Sequence, residues 1–361
     1  MKTINERALI IQLWTLHAGI LLILAILFFS SIDAQPVLAQ GLIQEENGTL
    51  ADLVTSFNTK IIPEDSEMYI PPNETNLNQM RQLVSLVMTS ISDNDNAKLS
   101  KSVSEASRLG YDIIKLTDGK TEYYAILETG GQNRGWGLYI FRAGSGNRDL
   151  VIEVPHPVDD LRTDSIGIIA FTRSKAKAFL MSGTRRRANR DMSSDVAHST
   201  RSIFQAVHET VTGDSTTIIQ IHGFTLINEP GYPQIVLSRG NGVATSPVRK
   251  LSSIFKDRDF TTGIANEGNL KELEAATNTQ GKYANSIGAV FIHLELESSI
   301  REHPVEYKKV VSAISEFASR YVKEEEVERP SDKLKQNLWY FMTAALVTVG
   351  VFIMILLYRR H

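Results

Sequence analysis

The chain has 361 residues, of which 42% are hydrophobic and 22% charged, and its 38 Lys and Arg nearly balance its 41 Asp and Glu. This composition excludes a collagen-like, a low-complexity and a disulfide-stapled chain. Cysteine is absent, so any metal must be held by His, Asp or Glu. A formal net charge of -3 does not favour a nucleic-acid partner, because phosphate binding needs a concentrated basic face. We therefore expect a globular protein that does not bind nucleic acid.

The two ends of the chain are much more apolar than its average. An apolar run follows Lys2 and Arg7 and ends in small residues near Ala39. This pattern predicts a secretory signal peptide over residues 1–39, with an uncleaved signal anchor as the alternative. Residues 338–358 carry no charge, and as a helix they would be roughly 31 Å long, which is enough to cross a bilayer.

Basic residues follow this second apolar segment at once. Arg359 and Arg360 place the tail, residues 359–361, in the cytoplasm by the positive-inside rule. The sequence thus predicts a single-pass protein of the cell membrane, held there by its C-terminal helix. Its body would be extracytoplasmic and joined to the helix by a juxtamembrane linker over residues 323–337.

Residues 40–115 form a predicted stalk and helical leader. Residues 40–75 are polar and contain three prolines, which indicates an extended stalk or loop. Residues 77–91 and 99–109 carry apolar side chains at a spacing of three to four, which predicts a small pair of helices.

Residues 116–322 show a different pattern. Short β-rich runs separated by glycine-rich turns come first, and after Val154 strands and helices alternate. Such alternation predicts an α/β domain with a mixed, mostly parallel sheet flanked by helices. The predicted strands are 122–127, 137–141, 149–154, 176–181, 216–221, 234–237 and 289–296, and the predicted helices are 164–173, 199–211, 247–255, 270–276 and 305–322. Ligands of such sheets bind beyond the carboxyl ends of the strands.

Two histidines stand at predicted strand ends. His156 follows one strand, with Asp159 and Asp160 three and four residues later, and His222 ends another. Two imidazoles and one carboxylate are the protein ligands of a catalytic zinc that keeps an open position. Either histidine alone would more often be a structural residue at a strand end, but the set of three favours a metal site.

An arginine-rich loop lies between these two histidines in the sequence. It contains Arg185, Arg186, Arg187, Asn189 and Arg190 directly after a predicted strand. Guanidinium groups bind carboxylates in a fork geometry, and an amide adds a directional donor. We therefore predict an anion-binding loop, with a solvated basic surface loop as the alternative.

The last predicted strand carries three ionisable side chains on one face. A period of two aligns His293, Glu295 and Glu297. An internal strand would rarely bury three such groups in line, so one of them is predicted to be a general base. The alternative is an edge strand with a wet face.

The order of these residues resembles the zinc-dependent carboxypeptidase and aspartoacylase superfamily. In size and spacing it is similar to the N-formylglutamate amidohydrolase and phage poly-γ-glutamate hydrolase branch. The resemblance implies a phosphorylase/hydrolase-like α/β fold and one Zn²⁺ held by His156, His222 and either Asp159 or Asp160. It also implies that Glu295 is the base. The family has Glu where this chain has Asp, which is one methylene shorter.

The resemblance also implies the substrate-binding residues. Asn189 and Arg190 match the pair that binds the substrate carboxylate, and an arginine, assigned here to Arg190, stabilises the oxyanion. Arg186 and Arg187 would line the same pocket. Two further expected contacts are Arg301, which follows the late Leu-Glu-Leu segment, and His198.

The leading interpretation is a membrane-tethered extracytoplasmic zinc amidohydrolase or peptidase. Its substrate would be an N-acyl amino acid, a peptide or a polyglutamyl chain. The alternative is a non-catalytic surface module that binds an anionic cell-envelope polymer through residues 185–190. A metal-dependent phosphoesterase is less favoured, because the sequence shows no second cluster of metal carboxylates and no glycine-rich phosphate loop.

Overall fold

The computed structural model describes residues 43–129, 133–225, 231–265, 267 and 270–325. The predicted signal segment at 1–39 and the predicted membrane helix at 338–358 lie outside these residues. Among the described residues, no helix has the length and apolar character needed to cross a bilayer.

The strands of the described residues form one mixed sheet. In chain order they are β1 (Gln44–Asn47), β2 (Tyr111–Asp118), β3 (Thr121–Glu128), β4 (Leu138–Arg142), β5 (Arg148–Val154), β6 (Ala176–Met181), β7 (Thr217–Phe224), β8 (Ile235–Ser238), β9 (Thr262–Ile264) and β10 (Val290–Glu297). Their order across the sheet is β1-β2-β3-β4-β6-β5-β7-β10-β8-β9. The central strands β6, β5, β7 and β10 are parallel, and so are the pairs β1–β2 and β8–β9 at the two edges. The pairs β2–β3, β3–β4, β4–β6 and β10–β8 are antiparallel. The predicted mixed, mostly parallel sheet is therefore present.

Helices cover both faces of this sheet, as the alternating pattern predicts. They are α1 (Leu50–Asn58), α2 (Glu74–Asp93), α3 (Asn96–Arg108), α4 (Thr163–Ser174), α5 (Ile203–Val211), α6 (Ser246–Lys256), α7 (Thr279–Ser286), α8 (Ser298–Glu302) and α9 (Pro304–Tyr321). The first face packs against α1, α4, α6 and α9, and the second face packs against α2, α3, α5 and α7.

The central strands are apolar on both faces. Ile152 and Ile219 point into the core of the first face, while Val151, Ile218 and Phe291 point into the core of the second face. Side chains alternate between faces along a strand, so burial of both faces requires the nearly continuous apolar runs seen in the sequence.

Residues 43–75 differ from the extended stalk that the sequence predicts. They include β1, which pairs with β2, and α1, whose Leu50, Val54 and Phe57 are buried in the core of the first face. These three residues recur at helical spacing, so burying one helical stripe offsets the cost of ordering the segment. The predicted helical pair is present as α2 and α3 and packs on the second face.

The predicted helix over residues 270–276 is wrong. Only a short 3₁₀ turn, Lys271–Leu273, lies there, and the regular helix is α7, further along the chain. Asn278 begins α7 because its side chain accepts a hydrogen bond from the backbone N–H of Gly281, which satisfies a free donor of the first turn.

Candidate metal centre

Three buried side chains meet at the carboxyl edge of the parallel strands. His156 lies two residues beyond β5, Asp160 lies one helical turn further along the same loop, and His222 lies near the end of β7. The backbone N–H of Asp160 donates to the carbonyl of His156 at 2.9 Å, which turns both side chains to the same side. We call these three residues the cluster; they form a group with the composition of a metal site.

The three candidate ligand atoms of the cluster are nearly equidistant. Nδ1 of His156 lies 3.3 Å from Nδ1 of His222. Oδ2 of Asp160 lies 3.2 Å from Nδ1 of His222 and 3.5 Å from Nδ1 of His156. A cation placed between them would contact all three atoms.

The far nitrogen of each imidazole is held by an acceptor. Nε2 of His156 lies 3.0 Å from Oδ1 of Asp195, and Nε2 of His222 lies 2.9 Å from Oε1 of Gln220. Metal-binding histidines generally donate their other ring N–H to such a partner, which fixes the ring orientation. Both rings therefore turn Nδ1 toward the cluster.

The structure separates the two aspartates between which the sequence could not choose. Asp159 turns away from the cluster. Its Oδ1 accepts from Nε of Arg185 at 2.7 Å, and its Oδ2 accepts from the backbone N–H of Arg186 at 2.7 Å. Asp160 is the carboxylate that joins the histidines.

Arg186 reaches the cluster from the arginine-rich loop. Its Nη2 lies 2.8 Å from Nδ1 of His156 and 3.0 Å from Oδ1 of Asp160. Burial raises the pKa of Asp160, but the hydrogen bond from His156 and the positive charge of that imidazole outweigh burial and hold the pKa well below its usual range. The negative charge of Asp160 thus already attracts a cationic side chain, that of Arg186.

The two histidines differ in their affinity for a proton. Burial lowers the pKa of His156, but its hydrogen bonds to Asp160 and Asp195 outweigh burial and raise the pKa to about 9. Burial dominates at His222 and lowers its pKa to about 4. Because metal ligands must be deprotonated, a metal ion that binds here must displace a proton from His156.

Glu295 and His293 of β10 lie beside the cluster. Glu295 is directly opposite His222 in the strand pairing, and ligand atoms of His222, His293 and Glu295 lie within 4.8 Å of one another. Nδ1 of His293 and Oε2 of Glu295 are buried without a hydrogen-bond partner. Burial raises the pKa of Glu295 to about 8. This carboxyl group is therefore poised to exchange a proton near neutral pH.

The alternative of a wet edge strand is wrong, because β10 lies inside the sheet between β7 and β8. The third ionisable residue of its face, Glu297, has a structural role. Its Oε2 accepts from the backbone N–H of Ser299 at 2.8 Å and so begins α8.

The predicted pair Asn189 and Arg190 is not brought to the cluster. Nδ2 of Asn189 donates to the carbonyl of Tyr69 at 2.9 Å. The side chain of Arg190 is 81% exposed and lies near Glu67, and Arg187 is also exposed. The loop turns as it leaves β6. Of the four arginines predicted to bind substrate, all of which lie among the described residues, only Arg186 forms hydrogen bonds with the cluster.

A segment from the N-terminal part of the chain fixes this loop. The backbone N–H of Ile62 donates to the carbonyl of Gly183 at 2.9 Å, and that of Asp65 donates to the carbonyl of Arg187 at 2.9 Å. We call residues 62–67 the strap. It orders the arginine-rich loop beside the metal centre.

The guanidinium of Arg301 donates hydrogen bonds to three backbone carbonyls. Its Nε donates to the carbonyl of Leu296 at 3.0 Å, its Nη2 donates to Phe224 at 3.2 Å, and its Nη1 donates to Leu161. These three bonds join the loop after β5 to the carboxyl ends of β7 and β10, so Arg301 orders the edge of the sheet rather than facing a substrate. A Cβ on Gly223 would lie 2.5 Å from Cζ of Arg301, so the close approach of this guanidinium explains the glycine that follows His222.

Sequence reasoning missed two residues that hold the histidines. Asp195 accepts a hydrogen bond from Nε2 of His156, and its other oxygen accepts one from Nδ1 of His198, which is half exposed, at 3.0 Å. Gln220 precedes His222 by two positions, and this same-face spacing was a usable signal. Asp195 lies in an irregular loop, where the sequence gives no comparable signal.

Comparisons with known proteins return structures of low similarity. No family model matches the chain, and no curated protein matches it. A bacteriophage poly-γ-glutamate hydrolase is 11% identical with a TM-score of 0.36, over 54% of this chain and 92% of the other. N-formylglutamate amidohydrolase from Ralstonia eutropha is 11% identical with a TM-score of 0.35, over 49% and 93%. A metallo-carboxypeptidase from Burkholderia cenocepacia is 11% identical with a TM-score of 0.33, over 62% and 67%.

Proposed function

We propose that this protein is a zinc-dependent amide or peptide hydrolase. The observation that supports it most strongly is the geometry of the cluster. Three buried ligand atoms, from His156, Asp160 and His222, lie 3.2 to 3.5 Å apart, and a buried carboxyl group, that of Glu295, lies beside them.

The distances within the cluster suit zinc. Bonds of about 2.0–2.1 Å at the tetrahedral angle separate ligand atoms by about 3.3 Å. The three cluster distances bracket this value. Two imidazoles and one carboxylate are also the ligand types of catalytic zinc with an open fourth position. His156, Asp160 and His222 would hold the ion.

Glu295 is the proposed general base. When bound, zinc supplies a Lewis acid that polarises a carbonyl and lowers the pKa of water. Glu295 takes the proton of the attacking water and returns it to the leaving amine, for which a carboxyl pKa near neutral pH is suited. Its environment excludes bulk water, since its side chain is only 11% exposed.

Arg186 takes the role that the sequence assigned to Arg190. Its side chain is 35% exposed at the mouth of the cluster, and its Nε has no hydrogen-bond partner. A guanidinium with unused donors beside the reacting carbonyl can stabilise an oxyanion or hold a substrate carboxylate. We therefore propose a substrate with an anionic group next to the amide: an N-acyl amino acid, a peptide or a polyglutamyl chain.

The cellular location of this activity is a separate part of the proposal. The apolar segments 1–39 and 338–358 support a membrane-tethered protein with an extracytoplasmic body. Neither segment belongs to the described residues.

The purified full-length chain is expected to contain about one zinc ion per molecule and to hydrolyse at least one member of a panel of γ-glutamyl, N-acyl and cell-wall peptides. Chelation should abolish hydrolysis, and added zinc should restore it. Elemental analysis and release of free amine measure the two properties. A folded, active chain that contains no metal, or one that binds its anionic ligand equally well in chelator without turnover, would contradict the proposal.

Two arginines of the same loop provide a matched test of substrate binding. Arg186→Ala is expected to lower kcat/KM by about 10²–10³-fold, the usual cost of one lost oxyanion donor. Arg190→Ala removes an exposed side chain and should change kcat/KM by less than about twofold. Steady-state kinetics on both variants checks this, and equal losses, or a larger loss in Arg190→Ala, would show that Arg186 has been assigned wrongly.

A further inference from the structure

A layer of polar side chains is buried beneath the metal centre. Gln220 of β7 is paired with Glu153 of β5 on one side and with His293 of β10 on the other. All three side chains lie on the second face of the sheet, next to its apolar core. Glu153 and Gln220 have no exposed surface. Buried polar groups cost stability unless each has a partner, so the bonds within this layer indicate what it does.

The orientation of the Gln220 amide decides what this layer presents to His222. Amide oxygen and nitrogen have almost the same shape, so only their partners tell them apart. A backbone carbonyl can only accept a hydrogen bond, and a backbone N–H can only donate one. Partners of these two kinds anchor the layer at both ends.

The first anchor is the backbone carbonyl of Val196. It accepts from Nε2 of Gln280 at 3.0 Å, so the Gln280 oxygen must point the other way. That oxygen lies 3.2 Å from Nε2 of Gln220. Gln220 therefore directs its NH₂ group toward Gln280 and away from His222.

The second anchor is the backbone N–H of Gly281. It donates to Oδ1 of Asn278 at 2.8 Å, so Nδ2 of Asn278 faces Gln220 and donates to its Oε1 at 2.5 Å. The carboxylate of Glu153 gives the same orientation independently, because its Oε2 accepts from Nε2 of Gln220 at 2.9 Å. The other oxygen of Glu153 is held by Nδ1 of His208 at 2.6 Å.

We infer that Gln220 is a positioning residue that holds His222 in the tautomer with its proton on Nε2. Because Oε1 of Gln220 can only accept, Nε2 of His222 must donate across their 2.9 Å contact. The lone pair of His222 is then on Nδ1, 3.2 Å from Asp160. The inference rests on the proposed metal centre for its role, but the tautomer exists without metal.

The wild-type tautomer is measurable directly. The full-length chain contains eight histidines, so ¹⁵N labelling of histidine gives few ring signals, and His222→Ala identifies the one of interest. Long-range ¹H–¹⁵N correlation spectra of the metal-free protein should show His222 protonated at Nε2. A proton at Nδ1 of His222 would overturn the inference whatever the variants do.

Two glutamine variants test the role of Gln220 in metal binding. Gln220→Leu removes the acceptor and is expected to give a mixture of His222 tautomers and a zinc Kd raised roughly 10–100-fold, as for other partners of metal-binding histidines. Gln205→Leu is the matched control. Gln205 accepts a hydrogen bond from Gln280 in the same layer at 2.8 Å. When leucine replaces Gln205, the carbonyl of Val196 still fixes the orientation of the Gln280 amide.

Gln205→Leu should therefore keep the Nε2 tautomer and change the zinc Kd by less than about threefold. An equal loss of zinc affinity in both variants, or an unchanged tautomer in Gln220→Leu, would overturn the inference. A wild-type chain with the Nε2 tautomer that binds no zinc would instead contradict the proposed function and leave the tautomer assignment intact.

Discussion

Glu295→Gln is expected to lower the rate of amide hydrolysis by about 10²–10⁴-fold, the usual contribution of a general base, while zinc content stays at that of the wild type. Glutamine keeps the shape of the side chain, but it cannot take a proton from water. The ligand atoms of the cluster belong to other residues, so the metal should remain. Single-turnover kinetics and elemental analysis on the same sample measure both quantities.

Glu297→Gln is the control for this variant. It makes the same chemical change two residues further along β10, where the carboxylate begins α8 instead of facing the cluster. Its activity should stay within about twofold of the wild type, at a cost of about 1 kcal/mol in the free energy of unfolding through the weakened helix start. Full activity in Glu295→Gln, or an equal loss in Glu297→Gln, would rule out Glu295 as the base.

Asp160→Asn is expected to raise the zinc Kd by more than about 100-fold, which exceeds the loss typical of residues that only support a ligand. It removes the negative charge of the cluster and leaves two imidazoles beside the Arg186 guanidinium. Zinc in excess should therefore raise the Tm of the wild type but not that of the variant. A ligand present at about 100 times its Kd stabilises the folded state by about 2.7 kcal/mol.

Asp159→Asn is the matched change on the neighbouring residue. Asp159 binds Arg185 and the backbone of Arg186, so its loss should loosen the arginine-rich loop by roughly 1–3 kcal/mol without abolishing zinc binding. Calorimetric titration with zinc and thermal unfolding separate the two effects. Loss of zinc in Asp159→Asn with retention in Asp160→Asn would reverse the assignment of the ligand.

Most of the secondary structure was predictable because its signals are local. The apolar runs of β5, β6, β7 and β10 and the stripe of α9 each appear within one segment. The segment around α1 carried a helical stripe too, at Leu50, Val54 and Phe57, but the prolines that follow it suggested a stalk. Its burial depends on α4, which lies more than a hundred residues later in the chain.

The candidate site was predictable to the level of residue types and strand ends. His156, His222 and Glu295 all stand where parallel strands end, which a sequence can indicate. The choice between Asp159 and Asp160 depends on a single turn of the loop. The choice of Arg186 over Arg190 depends on the strap, which binds the arginine-rich loop about 120 residues later in the chain. Contacts between such distant segments leave no local pattern in the sequence.

The strap and the first two strands also bear on where this chain can be shortened. The boundary that the sequence suggests, residue 116, falls inside β2. A fragment that begins there would leave β3, an eight-residue strand, with most of one side unpaired, and exposed strand edges of this kind template aggregation. It would also release the loop that carries Arg186. An expression fragment that preserves solubility and the arginine loop must therefore begin before β1, near residue 43.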